Sequence, residues 1–222
     1  MKTKVAGFFT AVVLGLGVST SANALLIDRG NGMIYDTDQN ITWLADANYA
    51  VTSGYAAANA VDNGNSTDNI FADGRMGWDA AMNWAAGLNY GGYDDWRLFS
   101  ADDNCEGANC TGTELGYLFY EELGLSVGDT IFSSTAPQLT LFDNIQGFFY
   151  WSGTESSFNT TDYAWHFLLA GGAQFDGHKV SEIYAWAVRT GDVGAAPVPA
   201  PAVLLLLAAG LVGIAGVRRR RS

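Results

Sequence analysis

The sequence predicts an α+β domain with two main helices and a sheet of short, mainly antiparallel strands. Two segments repeat apolar residues at helical spacing, 76–88 and 114–123. In the last third of the chain, aromatic-rich segments are separated by Gly, Asn and Asp, which is typical of short strands joined by turns. Apolar runs at the two ends fall outside this pattern. They predict an N-terminal signal peptide and a C-terminal membrane helix.

Residues 1–24 have the layout of a secretory signal peptide. Lys2 and Lys4 supply a positive start, an apolar run follows over residues 5–18, and an A-x-A cleavage site ends at Ala24. We therefore predict cleavage after Ala24 and export of the mature chain through the inner membrane.

The mature chain alternates apolar patterns with turn-rich stretches. Its predicted elements are strands at 25–36 and 41–45, an exposed loop or short irregular helix at 52–73, a helix at 76–88, a strand entered through 93–98, a helix at 114–123, and strands at 148–154, 163–169, 172–175 and 184–189. Gly91 and Gly92 end the first helix, whereas Thr113 caps the second and Gly124 follows it. These elements predict one domain over residues 25–192.

A turn between the first two strands has the spacing of the start of a calcium loop, Asp36-x-Asp38-x-Asn40. However, Ile41 stands where such a loop needs Gly, and Ala47 stands where it needs Glu. We therefore predict a hairpin turn and no cofactor, with calcium as the open alternative.

Aromatic residues are predicted to supply much of the core. The tryptophans assigned to it from the last third are Trp151, Trp165 and Trp186. Earlier in the chain, alternation along a strand should place Trp96 and Leu98 on one face, against the helix at 76–88. Arg97 should point away, toward one of the many carboxylates.

The mature domain is strongly acidic. It holds all 23 acidic residues but only five basic ones, which leaves a formal net charge of −18. The basic residues are Arg29, Arg75, Arg97, Lys179 and Arg189. Such a surface repels nucleic acid, and it repels other anionic polymers unless a cation bridges them. We predict no nucleic-acid partner.

The chain has two cysteines, Cys105 and Cys110, and an exported protein should pair them. The loop between them is short, so the expected bond is a local staple of at most ~2–3 kcal/mol. No further soft ligand lies near them in the sequence, so no metal site is predicted.

The residues that could carry catalysis do not form a recognisable set. His166 lies in an aromatic strand, where a core or face histidine is expected, and His178 lies in a predicted solvated turn at 176–179. Ser152 lacks the Gly-x-Ser-x-Gly elbow of a serine hydrolase. We predict a protein that is not an enzyme, and keep catalysis as the lesser alternative.

The C-terminus combines a linker at 193–201, an apolar run at 202–217 and a basic tail at 218–222. The run approaches the length of a membrane-spanning helix, and the arginines should hold the tail in the cytoplasm. This layout resembles the PEP-CTERM sorting signal, with Pro199-Ala200-Pro201 in place of the usual Pro-Glu-Pro. The resemblance implies that an exosortase-type enzyme removes the tail and releases or re-anchors the protein. A permanent membrane anchor is the alternative.

The order of the motifs in the mature domain resembles the Lcl C-terminal domain family. The matching segments are Trp78–Ala81, Gly91–Leu98, Tyr150–Glu155, Tyr163–Trp165 and Tyr184–Arg189. The resemblance implies a C-type-lectin-like fold and a surface-exposed binding or adhesion domain, directed at sugars in some members. The calcium-binding and sugar-binding motifs of true C-type lectins have no match in this chain.

A candidate site follows from this resemblance and from the polar loop after residue 155. Loops beside the C-terminal strands of lectin-like folds commonly form the ligand face, and binding residues concentrate on such loops. The residues predicted to bind a neutral or cation-bridged polysaccharide are Glu155, Asn159, Asp162, Asp176 and His178. The expected partner is exopolysaccharide or a surface glycan. The alternative is a structural protein of the extracellular layer, in which these are ordinary turn residues.

Overall fold

The structure is a computed structural model that describes residues 26–194. Its first sheet brings the beginning and the end of this range together, with every neighbouring pair of strands antiparallel. In spatial order its strands are β1 (Leu26–Asp28), β2 (Met33–Asp36), β3 (Ile41–Leu44), β10 (Ala187–Thr190) and β4 (Arg97–Leu98).

The second sheet is built mostly from the last third of the chain. In spatial order its strands are β5 (Gly107–Ala108), β8 (Ala173–His178), β7 (Tyr163–Leu168), β6 (Phe149–Glu155) and β9 (Tyr184–Ala185). Its neighbours are antiparallel except β6 and β9, which are parallel. The predicted α+β class with mainly antiparallel strands is confirmed, but the strands form two sheets rather than one.

Helices are short and few in the described range. The α-helices are α1 (Tyr49–Thr52), α2 (Tyr55–Ala58), α3 (Trp78–Ala86) and α4 (Glu114–Tyr117). A turn of π-helix, Leu118–Glu122, continues α4, and two 3₁₀ turns cover Ile131–Ser133 and Pro137–Leu141. The two predicted main helices are therefore confirmed, although the second changes to π geometry halfway. The predicted irregular stretch at 52–73 contains α2 and turns.

Buried tryptophans hold separate segments of the chain together. Trp151 and Trp186 are fully buried and Trp165 is nearly so, as predicted. The indole N–H of Trp151 donates to the carbonyl of Met76 at 3.0 Å, just before α3, and that of Trp186 donates to the carbonyl of Leu44 in β3 at 2.7 Å. Each ring thus buries a large apolar area and still satisfies its polar tip.

The segment Trp96-Arg97-Leu98 is arranged as the alternation predicted. Trp96 and Leu98 are each 2% exposed, and β4 packs against α3. Arg97 points to the other side, where its guanidinium donates two hydrogen bonds of 2.8 Å to the carboxylate of Glu114.

Two predicted strands are divided in the structure. The strand predicted at 25–36 is interrupted by a turn at Gly30, Asn31 and Gly32, whose φ angles of 77°, 53° and 71° no extended strand can hold. The strand predicted at 184–189 divides at Trp186. Its first half joins β6 in the second sheet, and its second half joins β3 and β4 in the first sheet.

Thr113 occupies the N-cap position of α4, but its side chain does not cap the helix. The hydroxyl bonds to the buried side-chain oxygen of Gln174 in β8, and it accepts the backbone N–H of Asp102 at 3.1 Å. A buried amide costs free energy unless it is hydrogen-bonded, so this tertiary partner wins over the local cap.

Some sequence predictions lie outside the described residues. These are the signal peptide at 1–24, the motif Pro199-Ala200-Pro201, and the helix and tail at 202–222. Within residues 26–194, no helix combines the length and the apolar character needed to cross a membrane.

Candidate functional site

A groove of about 470 Å³ opens at one end of the second sheet. Residues 103–106 form one wall and residues 156–158 form the other, while Tyr163, Trp165 and Asp176 line it from β7 and β8. We call it the acidic groove, because Asp103, Glu106 and Asp176 all line it.

The floor of the acidic groove depends on strand register. Trp165 in β7 lies directly opposite Asp176 in β8. The Trp165 indole N–H donates to Asp103 at 2.6 Å, and the hydroxyl of Ser156 donates to Asp176 at 2.8 Å. Both carboxylates are therefore held in place by groups on the sheet or next to it.

Asp103 also fastens the two walls to each other. One of its oxygens accepts the backbone N–H of Ser157 at 2.9 Å in addition to the indole N–H of Trp165. These donors, the Ser157 N–H foremost, lower the pKa of Asp103. Asp103 is thus kept ionised, with lone pairs available for a hydroxyl-bearing ligand.

A disulfide between Cys105 and Cys110 closes the first wall. The side-chain amide of Gln174 donates to the carbonyls of Cys105 and Asp102 at 2.5 and 2.7 Å. Within the closed loop, β5 pairs with β8. The cysteine loop is therefore attached to the sheet at several points, which makes it a rigid edge for the groove.

Phe158 forms the rim on the other wall and is 83% exposed. Its ring meets Tyr163 edge to face, with the centroids 6.0 Å apart. The hydroxyl of Tyr163 lies 2.7 Å from Nε2 of His178. An apolar ring and a phenol ring thus stand beside the carboxylates of the groove.

Of the five predicted site residues, only Asp176 lines the acidic groove directly. His178 does not line the groove, but its Nε2 lies within hydrogen-bond distance of the hydroxyl of Tyr163, which does. His178 was predicted in a turn at 176–179, but it belongs to β8, because this strand continues its pairing with β7 as far as the Tyr163 position.

Glu155, Asn159 and Asp162 lie outside the lining of the groove. Glu155 accepts a 2.6 Å hydrogen bond from the buried ammonium of Lys179, which also lies 4.2 Å from the centre of the Trp78 ring. The amide of Asn159 donates to Asp162 at 3.0 Å. These three residues shape the loop that carries Phe158.

Sequence reasoning missed Asp103, Glu106 and Phe158, and it assigned Trp165 to the core alone. Phe158 did leave a signal, since it is an isolated aromatic residue in the polar stretch 156–162. Nothing local distinguishes Asp103 from the other carboxylates of an acidic chain. Its role depends on residues 54 and 62 positions away in the sequence.

The two histidines do not line the acidic groove. His166 lies between aromatic rings, 4.6 Å from Phe149 and 5.5 Å from Trp151 by ring centroids. Burial lowers the pKa of His166 to about 4, so its imidazole is neutral at physiological pH. This agrees with the predicted core or face histidine.

The predicted turn at 36–40 forms a hairpin turn between β2 and β3. Asp36 is fully buried and accepts the backbone N–H groups of Asp38 and Gln39 at 3.1 and 3.0 Å, so its carboxylate holds the turn. Across residues 26–194, no group of three or more His, Cys, Asp or Glu side chains is placed to hold a metal ion.

A family model described as the Lcl C-terminal domain matches residues 32–189, well over half of the chain. The match covers the disulfide loop, the residues that form the acidic groove, the whole second sheet, and the first sheet apart from β1 and Thr190. No curated protein and no solved structure shows significant similarity to this chain.

Proposed function

This chain belongs to the Lcl C-terminal domain family, and we propose that it binds neutral extracellular polysaccharide in the acidic groove. The family is of the binding type rather than the catalytic type. The α+β architecture with two mainly antiparallel sheets agrees with a C-type-lectin-like fold, which we adopt as part of this proposal.

The observation that carries the proposal is the exposed ring of Phe158 beside fixed carboxylates. Phe158 is 83% exposed, so its ring is open to a ligand, and a ligand that covers it would remove apolar surface from water. The apolar face of a sugar ring can cover Phe158 and Tyr163, while Asp103 and Asp176 accept hydrogen bonds from its hydroxyls.

Charge determines which polysaccharide fits. The mature domain carries a formal charge of −18, and three carboxylates line the groove. An anionic polymer would be repelled unless a cation bridged it to the protein. A neutral polymer needs no such bridge, so neutral exopolysaccharide is the partner we propose.

Changing Phe158→Ala and Glu106→Gln together tests the groove. Both side chains are exposed, so the melting temperature should not change. Retention of the domain on the producer's own exopolysaccharide should weaken about tenfold or more, because a ring contact is lost and one charged carboxylate oxygen is replaced by an NH2 group that cannot accept. Affinity electrophoresis through the polymer measures this.

Phe132→Ala is the matched control, since Phe132 is also a strongly exposed phenylalanine, 61% exposed, and does not line the groove. Unchanged retention in the double variant would contradict binding through the acidic groove. No retention of the parent domain would favour a structural protein of the extracellular layer instead. Glu155 is unsuitable for this test, because its removal leaves the buried Lys179 without its counter-ion.

We also propose that the domain is exported and then sorted to the cell surface or released. The signal-peptide pattern at residues 1–24 and the PEP-CTERM-like C-terminus support this, with an exosortase-type enzyme as the processing partner and the membrane as a transient anchor. The disulfide supports an oxidising compartment.

Intact-mass measurement of the exported protein, alkylated before reduction, tests the whole route. The expected mass begins at Leu25, lacks the basic tail, and contains no alkylated cysteine. A retained N-terminus would contradict export by signal-peptide cleavage, a retained tail would indicate a permanent anchor, and two alkylated thiols would contradict the disulfide.

A further inference from the structure

A second groove of about 530 Å³ lies where α1 and α2 meet the end of α3. We call it the helical groove. Its lining includes Tyr49, Tyr55, Asn83, Trp84 and Asn89. Among residues 26–194, no carboxylate, lysine, arginine or histidine lines it, although the domain around it is strongly acidic. The groove is thus an uncharged site on a highly charged surface.

Hydrogen-bonding groups of the helical groove are free for a ligand. The side-chain amides of Asn83 and Asn89 are exposed, and they make no hydrogen bond within residues 26–194. The phenol groups of Tyr49 and Tyr55 likewise have no partner within that range. Each amide offers both donors and an acceptor, which suits neighbouring hydroxyl groups.

Two aromatic rings of the helical groove, those of Tyr49 and Trp84, are packed against other residues of the domain. Tyr49 packs edge to face against Tyr90, with centroids 5.0 Å apart. Trp84 is 2% exposed, and its indole N–H is buried without a hydrogen-bond partner in the described part of the chain. Tyr49 and Trp84 are therefore fixed by packing within the domain.

We propose that the helical groove is a second binding site for an uncharged, hydroxyl-rich sugar unit. An anionic ligand would find no cation in the lining, and a cationic ligand would find no carboxylate. A neutral sugar matches both the rings, through its apolar face, and the free amides, through its hydroxyls. The inference rests on the proposed polysaccharide partner but uses none of the residues of the acidic groove.

Two sites on one domain change how a polymer is held. A repeating polysaccharide presents many identical units, so one chain can occupy both grooves, or two chains can be cross-linked. The second contact is then intramolecular, and overall retention exceeds that of either site alone.

The test starts from the full mature domain with Phe158→Ala and Glu106→Gln, so that the acidic groove is impaired. The probes are neutral hexasaccharides of glucose, galactose and mannose, added at millimolar concentration. We expect the side-chain amide NMR signals of Asn83 and Asn89 to shift with at least one probe. The affinity should be equal at acidic and neutral pH, because neither a carboxylate nor a histidine of residues 26–194 lines the groove.

Adding Asn83→Ala and Asn89→Ala should then weaken binding about tenfold or more. Asn63→Ala is the matched control, since Asn63 is an exposed asparagine outside the groove. The inference is overturned if no probe shifts these amides, or if the asparagine changes leave binding unaltered. A domain that loses binding only through the asparagine changes would instead overturn the acidic groove and leave the helical groove standing.

Discussion

Replacing Trp96 with alanine is expected to lower the free energy of unfolding by roughly 3–5 kcal/mol. Trp96 is 2% exposed, its ring lies 5.9 Å from that of Tyr90, and its indole N–H donates to the Tyr90 carbonyl at 3.3 Å. The change would leave a large cavity beside Tyr90, at the start of β4. Urea unfolding at neutral pH measures the loss, and Trp96→Phe, which fills most of the space, should cost clearly less.

Arg97→Ala provides the comparison from the adjacent position. Arg97 is a third exposed, and Glu114 keeps a 2.7 Å hydrogen bond from the backbone N–H of Ser100 when the arginine is removed. We expect a cost of about 1 kcal/mol for this partly exposed pair. Equal losses for Trp96→Ala and Arg97→Ala would contradict the assignment of Trp96 to the core and Arg97 to the surface.

Replacing Glu122 with glutamine is expected to stabilise the domain above neutral pH. Glu122 is 6% exposed, and neither carboxyl oxygen has a hydrogen-bond partner in the described part of the chain. Burial, and then the negative charges of Asp36 and Asp38, raise the pKa of Glu122 to about 8. The hydroxyl of Tyr117 donates its hydrogen bond to Asp38 at 3.1 Å, so it does not donate one to Glu122.

The direction in which stability changes with pH depends on whether the folded or the unfolded chain holds the Glu122 proton more tightly. The unfolded chain releases the Glu122 proton near its ordinary pKa of 4.5, whereas the folded domain keeps it up to about pH 8. The folded state therefore binds more protons in this window, and its stability falls as pH rises from about 4.5 to 8. Above that window the loss is complete.

Glutamine removes this titration. We expect Glu122→Gln to be more stable than the parent by roughly 2–4 kcal/mol at pH values above 8, with a smaller gain near pH 5. Urea unfolding across the window measures both. The free energy of unfolding of the variant should still fall as pH rises, but less steeply, because burial also raises the pKa of Asp36.

Glu121→Gln is the matched control, since Glu121 is the exposed neighbour on the same π-helical turn. It should leave the pH dependence as it is in the parent. An unchanged slope in Glu122→Gln would show that Glu122 is solvated and ionised in the folded domain.

The sequence alone determined the features that depend on local pattern. Apolar spacing located α3 inside the predicted 76–88, and alternation placed Trp96 and Leu98 opposite Arg97. The order of the motifs identified the family. These predictions succeed because a residue's own position on a helix or strand is set by neighbours within a few positions.

Only the tertiary structure decided which strands meet and what surrounds each charge. Residues 184–190 are divided between two sheets at Trp186, because its ring packs against Trp43, Phe142 and Tyr150 from distant segments. Likewise, Glu122 and its exposed neighbour Glu121 are the same amino acid on one turn. Only Glu122 is buried beside Asp36 and Asp38, and this burial and these charges raise its pKa. They come from contacts far apart in sequence that local periodicity does not encode.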